Sequence, residues 1–277
     1  MAWFVASSVF AQFTPDLLQN SHYWSDGKAE FNIYDARIVR DGIPRACEVV
    51  HILVRELCDA KQPDRSTATS PSPSVAILKL NQVLHIPSGL SVCQQMHSSY
   101  WRVDNAQLLK CSLTGNDGVG NTFKEIRREN DQLKYEFHTS CGGSGEGKEN
   151  IAPPPGSYFY DELPLVVRTL NFSKPADKIE VQLAGSIINS RRDAIIFKPA
   201  RISFKPTEKT IEVSVDHAAG VDRFVLDRDD PHLLRQWTAA DGSQMKLKRN
   251  LKVDYQNYTK PGDRERALSN PMLRLPD

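Results

Sequence analysis

Short runs in which apolar and polar residues alternate recur through most of the chain, and they constrain its fold more than any other feature. Residues 133–138 read Leu-Lys-Tyr-Glu-Phe-His, and residues 211–216 read Ile-Glu-Val-Ser-Val-Asp. A period of two indicates a β-strand with one buried and one solvated face. Turn signals such as Gly115–Asn121 and Ala240–Ser243 separate the runs. The pattern predicts a mainly β protein built as an antiparallel meander, and not as alternating βαβ units.

Roughly a dozen such runs are more than an open, twisted sheet carries comfortably. We therefore expect the meander to curl into a barrel or to split into two packed sheets, which also limits exposed edges. A barrel that crosses a membrane is the weaker alternative, because its lipid-facing positions would carry charged residues such as Lys134, Lys246 and Lys248. After the N-terminal segment no apolar run reaches ~20 residues, so no membrane span is expected.

The stretch Ile151–Phe172 interrupts the strand pattern with the clearest helical signal of the chain. Asp161 offers a side-chain oxygen as a helix cap, and Pro164 falls in the first turn, where a missing N–H costs little. One apolar stripe follows at i, i+3, i+4 and i+7, formed by Leu163, Val166, Val167 and Leu170. We predict one short central helix over 161–171, buried as a plug or edge cover within a single β-rich domain over 22–258.

Three segments are predicted to lie outside regular structure. Residues 59–74 are polar and proline-rich, and residues 142–156 pass from a glycine-rich run into prolines, so both have the composition of flexible loops. A phosphate-binding loop is disfavoured at the glycines because no helix start follows them directly. Residues 259–277 are predicted to form a poorly ordered tail.

Residues 1–11 are uncharged and mostly apolar, and they resemble the end of a secretory signal peptide. Val9 and Ala11 have the small side chains that a signal peptidase prefers, which places the cleavage between Ala11 and Gln12. We therefore predict a remnant or truncated signal peptide and a periplasmic or secreted protein. The alternative is an N-terminal strand or a short core helix.

Charge and motifs exclude several classes of function. The chain has 35 Lys and Arg against 34 Asp and Glu, and no basic run interleaved with aromatics, so no nucleic-acid partner is indicated. Its five cysteines show no Cys-x-x-Cys spacing, and its seven histidines are scattered. Nucleophile-elbow, zinc-protease, Walker and Rossmann motifs do not occur. We predict no cofactor, no metal site and no catalytic residue.

A few polar residues are candidates for ligand binding. Trp24, Asp26, Lys28 and Glu30 would form a small polar cluster at a barrel mouth, although a strand start with a turn has the same composition. Arg249 alternates in step with the apolar residues of its strand, Leu247, Leu251 and Val253. It would therefore point inward and bind an anionic group, unless a bulge turns it outward. Two mid-strand histidines could also face a barrel interior: His51 and His138.

Five motifs in this order resemble a family of uncharacterised exported bacterial β-proteins. They are Trp24-x-Asp26-Gly27-x-Ala29-Glu30, Lys79-Leu80-Asn81, Gly156-Ser157-Tyr158-Phe159, Asp161-x-Leu163-Pro164-Leu165 and Leu234-x-x-Trp237. The resemblance spans residues 22–258. It implies export and a β fold, and the family has no established activity to carry over. Some members are labelled septum formation inhibitor, but the proteins that properly bear that name are α/β, whereas this chain has the pattern of a β protein.

Two classes of function follow. The first is a non-enzymatic periplasmic or secreted β-scaffold that binds an unknown small apolar or amphiphilic molecule or an envelope component. It requires a sizeable apolar cavity with few polar groups. The alternative is an exported hydrolase with an unrecognised active site, which requires a nucleophile beside a base in a cleft.

Overall fold

The computed structural model describes residues 21–59, 74–140, 145–173, 178–192 and 194–274. The predicted signal segment, with Ala11 and Gln12, and residues 60–73 of the predicted loop lie outside these ranges. Fifteen strands of the described chain form one sheet. The prediction of a mainly β protein with a curled antiparallel meander is confirmed.

The first eight strands form the N-terminal half of the sheet. They are β1 (Ala29–Arg40), β2 (Ile43–Asp59), β3 (Ser74–Ser88), β4 (Ser91–Arg102), β5 (Leu108–Asn116), β6 (Asn121–Glu129), β7 (Gln132–Thr139) and β8 (Gly145–Ile151). The other seven are β9 (Ser157–Phe159), β10 (Ile179–Ala184), β11 (Lys198–Pro206), β12 (Thr210–His217), β13 (Gly220–Asp227), β14 (Leu234–Thr238) and β15 (Gln244–Val253). Three α-helices are described, α1 (Ser21–Trp24), α2 (Leu163–Val166) and α3 (Asp263–Ser269).

Two meanders meet at a seam between the first and last strands. The strand order runs from β8 back to β1, then from β15 back to β9, so β1 pairs with β15. Neighbouring strands are antiparallel, apart from the parallel pair of β9 and β10. The seam therefore joins parts of the chain that are more than two hundred residues apart in sequence.

The connection between β8 and β9 shows why the sheet must curl. These strands lie at the two opposite edges of the sheet, yet only residues 152–156 join them. A stretch of this length spans about 20 Å at most. The edges must approach each other without pairing, so the sheet is curled into an open, barrel-like shape.

The central helical segment, here residues 160–169, lies inside this curl. It consists of a 3₁₀ turn at Tyr160–Glu162, then α2, then a second 3₁₀ turn at Val167–Thr169. The four residues of the predicted apolar stripe are buried: Leu163, Val166, Val167 and Leu170. Asp161 does not cap the segment, because its carboxylate accepts hydrogen bonds from the Ser186 hydroxyl and the Ile187 amide.

Two segments predicted to lack structure contain regular elements. Residues 145–151 form β8, which pairs with β7 at an edge of the sheet. In the predicted tail, α3 packs Leu268 against apolar residues on the outer face of β1 and β2, such as Ile33 and Val50. This covering explains why β2 is apolar on both faces. The tail has too few apolar residues for this packing to show in its sequence pattern.

Candidate functional site

A cavity of about 770 Å³ opens at one end of the curled sheet. The tips of four hairpins, β1–β2, β3–β4, β5–β6 and β14–β15, reach its mouth. Each tip contributes one lining residue, in this order: Asp41, Ser88, Asp117 and Asp241. The central helical segment forms another part of the wall. The apolar wall residues come from both meanders and this segment: Ile38, Val49, Leu84, Ile86, Leu163, Ile188, Phe224, Trp237 and Met245.

The cavity has three layers, and β2 shows their order. Arg45 lies near the mouth, Val49 lies deeper, and His51 lies deepest. His51 lies six positions after Arg45 on this strand, which corresponds to about 20 Å. The layers are thus a charged mouth, an apolar middle and a polar floor, where His51 and Gln82 lie next to Asp161.

The arginines at the mouth are already engaged with the protein. The Arg40 guanidinium donates to Cys93 Sγ at 3.1 Å and to Gln95 Oε1. Arg45 donates to the carbonyl oxygen of Pro87 at 3.0 Å, and Arg191 pairs with Asp41. Acidic residues balance these cations, so the mouth offers no strongly charged site for an ionic ligand.

The floor is a row of buried polar side chains on adjacent strands. His51, Gln82 and His97 lie directly opposite one another on β2, β3 and β4. Gln82 Nε2 donates to the carbonyl oxygen of Asp161 at 2.8 Å and lies 3.2 Å from His97 Nδ1. Burial lowers the pKa of His51 to about 3, so this imidazole is neutral at physiological pH.

The predicted polar cluster is divided between two contact networks, and its members lie outside the cavity lining. Glu30 is fully buried and accepts two hydrogen bonds from Arg168, at 2.8 and 2.9 Å. The hydroxyl of Tyr23 and the amide of Asn32 also donate to Glu30. Burial disfavours the charged carboxylate, but the charge of Arg168 and the hydrogen bonds from Arg168, Tyr23 and Asn32 together outweigh burial, so the pKa of Glu30 is lowered. This network ties β1 to the central helical segment.

Lys252 organises the second network. Its Nζ donates to the carbonyl oxygens of Tyr23 and Lys28 and to the carboxylate of Asp26, which is 3.2 Å away. The same ammonium lies over the rings of Tyr23 and Trp24, 4.2 and 4.5 Å from their centroids. These contacts fasten the segment that carries α1 to β15.

Arg249 lies on the outside, where it is exposed and donates to the carbonyl oxygen of Lys248. The pairing of β1 with β15 shifts by one residue between Ile33 and Tyr34, so β15 has a bulge at Lys248. A bulge reverses the parity of the residues beyond it, which explains the exposure of Arg249. His138 is likewise exposed, beside Glu146.

A second polar cluster is the nearest approach to a hydrolase site. Asp222 is fully buried and lies 3.0 Å from His217 Nε2, at a pocket of about 420 Å³. His217 Nδ1 accepts from the amide of Ala219 at 3.4 Å, so both ring nitrogens are occupied. Asp222 also accepts from Tyr160, Trp237 and the Ala240 amide. The contacts give this histidine a structural role instead of that of a free base.

In the described ranges no group of three or more His, Cys, Asp or Glu is arranged to hold a metal ion. None of the helices described there is both long and apolar enough to cross a membrane.

No protein-family model matches the chain, and no curated protein matches it. Among solved structures, it is similar to a beta-barrel-like protein of the domain of unknown function DUF1849 from Brucella abortus. The two share 12% sequence identity at a TM-score of 0.48, over 82% of this chain and 98% of the other. Membership in an exported β-protein family stays a prediction from the motifs.

Proposed function

We propose that this protein is a non-enzymatic β-scaffold that binds an apolar or amphiphilic molecule in the cavity at its hairpin tips. The observation that carries the proposal is the layered cavity of about 770 Å³, whose apolar middle lies between a charge-balanced mouth and a polar floor. Ligand cavities of this size are mostly apolar with a few placed polar groups. An elongated molecule with an apolar body fits this arrangement.

Apolar residues exposed around the mouth support the same proposal. Ile43, Leu90 and Val119 lie at or beside three of the hairpin tips and are exposed. They offer a weakly hydrated path for an apolar molecule that enters. The same residues favour a second candidate function, the docking of an envelope partner at this end, because exposed apolar groups in one region commonly mark interaction sites.

Export to the periplasm or the medium belongs to the proposal and rests on residues 1–11. A hydrolase is the weaker alternative because His217, the histidine paired with a buried carboxylate, has both ring nitrogens occupied. A general base needs a free nitrogen within reach of the proton that it abstracts.

Ligand binding can be tested with an environment-sensitive apolar dye and by native mass spectrometry of protein purified from its own host. We expect saturable dye fluorescence and a co-purifying apolar molecule. Leu84→Trp places an indole in the cavity and should weaken dye binding about tenfold or more. Val92→Trp, on the exposed face of β4, is the matched control and should leave binding unchanged.

Two results would contradict the proposal. One is the absence of both dye binding and any co-purifying molecule. The other is equal dye binding by the two tryptophan variants, which would place the dye outside the cavity.

A further inference from the structure

The polar floor of the cavity has a hydrogen-bonding atom that the protein leaves unpaired. His51 is 4% exposed and lines the cavity, and its Nε2 has no hydrogen-bond partner among the described residues. Buried polar groups are nearly always paired, and each exception needs an explanation. Because the His51 side chain lines a ligand-sized cavity, a partner that is not part of the chain is the candidate to pair with this buried atom.

The neighbouring hydrogen bonds fix the chemical character of this atom. Because Gln82 Nε2 donates to the carbonyl oxygen of Asp161, the orientation of the Gln82 amide is determined. Gln82 Oε1 must therefore accept in the hydrogen bond between Gln82 and His51. With His51 Nε2 unpaired, the donor of that bond is Nδ1–H. The neutral ring then has a lone pair on Nε2, so the free atom is an acceptor.

The surroundings select an uncharged donor. A carboxylate has no proton to donate, and it would approach the Asp161 carboxylate at the same end of the cavity. An ammonium would lose its hydration on entering this region. The Asp161 carboxylate would not compensate for that loss, because it already accepts hydrogen bonds from the Ser186 hydroxyl and the Ile187 amide. A hydroxyl can donate to the imidazole without either cost.

We infer that the cavity binds a hydroxyl-bearing amphiphile whose hydroxyl group donates a hydrogen bond to His51 Nε2 at the floor. The inference rests on the proposed binding function and adds the chemical class and the orientation of the ligand. The hydroxyl end enters first, the apolar body contacts the middle layer, and any further polar group remains at the charge-balanced mouth.

A matched series of octyl compounds tests the inference through displacement of the apolar dye. Octanol can donate a hydrogen bond, octyl methyl ether cannot, and octanoate and octylammonium carry opposite charges. Because leaving a buried acceptor unpaired has a cost, we expect octanol to bind about tenfold more tightly than the ether. Both charged compounds should bind more weakly than octanol.

Two variants locate the effect. His51→Phe removes the acceptor, so the ratio between octanol and ether affinities should fall to about one while the dye still binds. Val92→Trp, on the exposed face of β4, is the control and should keep the ratio. The wild-type ratio is informative by itself if His51→Phe does not fold.

The outcomes separate this inference from the proposed function. Dye binding with equal octanol and ether affinities in the wild-type protein would refute the hydroxyl site and leave the binding function intact, with water as the partner of His51. Tighter binding of octanoate or octylammonium than of octanol would also refute it. Failure of the dye and all four compounds to bind would overturn both.

Discussion

The buried pair of Glu30 and Arg168 gives the sharpest test of how this fold is held together, through the substitution Arg168→Met. The side chains of Arg168 and Glu30 are 5% and 0% exposed, and they share two hydrogen bonds. Arg168 also donates to the carbonyl oxygen of Pro231 at 2.9 Å, in the loop between β13 and β14. One guanidinium therefore links the central helical segment to both meanders.

Removal of this guanidinium leaves a buried carboxylate without its cation. Breaking a buried ion pair on one side typically costs about 3–5 kcal/mol, and we expect this range here. Tyr23 and Asn32 still donate to Glu30, which limits the cost, whereas the Pro231 carbonyl loses its donor, which adds to it. Methionine has similar bulk, so the loss of apolar packing is small.

The dependence on pH has a defined sign. In the wild-type protein the folded pKa of Glu30 is lowered, so its contribution is present above the unfolded pKa and is lost as pH falls through the folded value. In Arg168→Met burial dominates and raises that pKa, because desolvation disfavours the carboxylate. The stability difference between the two proteins should therefore be larger at pH 8 than at pH 5.

Urea unfolding at both pH values, followed by tryptophan fluorescence, measures this difference. Arg201→Met is the matched control, since Arg201 pairs with Glu180 on the surface at 2.7 Å. Exposed pairs contribute little, so the control midpoint should not move. The reasoning is refuted if Arg168→Met unfolds at the control midpoint, or if its deficit grows towards low pH.

Three further predictions concern other parts of the chain. Lys252→Met should destabilise the protein by about 1–3 kcal/mol, because the ammonium binds two carbonyl oxygens and a carboxylate; urea unfolding and a shift in Trp24 fluorescence would report this. Burial raises the pKa of Glu162 to about 7, so the protein binds this proton more tightly when folded. The stability of wild type relative to Glu162→Gln should accordingly fall by up to roughly 3 kcal/mol as pH rises from 4 to 8, as measured by denaturation across pH. For export, N-terminal sequencing of protein from the extracytoplasmic fraction should begin at Gln12, and full-length cytoplasmic protein would contradict this.

The strands could be predicted because a period of two is a local property of the sequence. The alternation correctly indicates which faces are buried in strands such as β7 and β12. The alternation gives the wrong face for Arg249, because one extra residue at Lys248 changes which face the following residues occupy. A bulge has no strong local signal here, so the sequence leaves both orientations open.

The candidate site was harder to predict because its residues meet only through long-range pairing. His51 stands out locally as a polar residue inside an apolar strand, but Gln82 becomes its neighbour only through the register of β2 with β3. Glu30 and Arg168 are separated by 138 positions, and the local sequence around either residue does not indicate that the two pair. Charged residues near Trp24 thus resembled a binding cluster, although their contacts are structural.

The polar residues of the interior have a common physical origin in the buried helical segment. A helical segment enclosed by a sheet brings backbone groups away from water, and these need partners. Gln82 supplies a donor to the Asp161 carbonyl in this segment, and the Glu162 carboxylate accepts from the amide of Phe159, which directly precedes it. These side chains are thus explained by the segment that they support. The free nitrogen of His51 satisfies no such group and belongs to a side chain that lines the cavity, which is the physical reason to assign it to a ligand instead of to the fold.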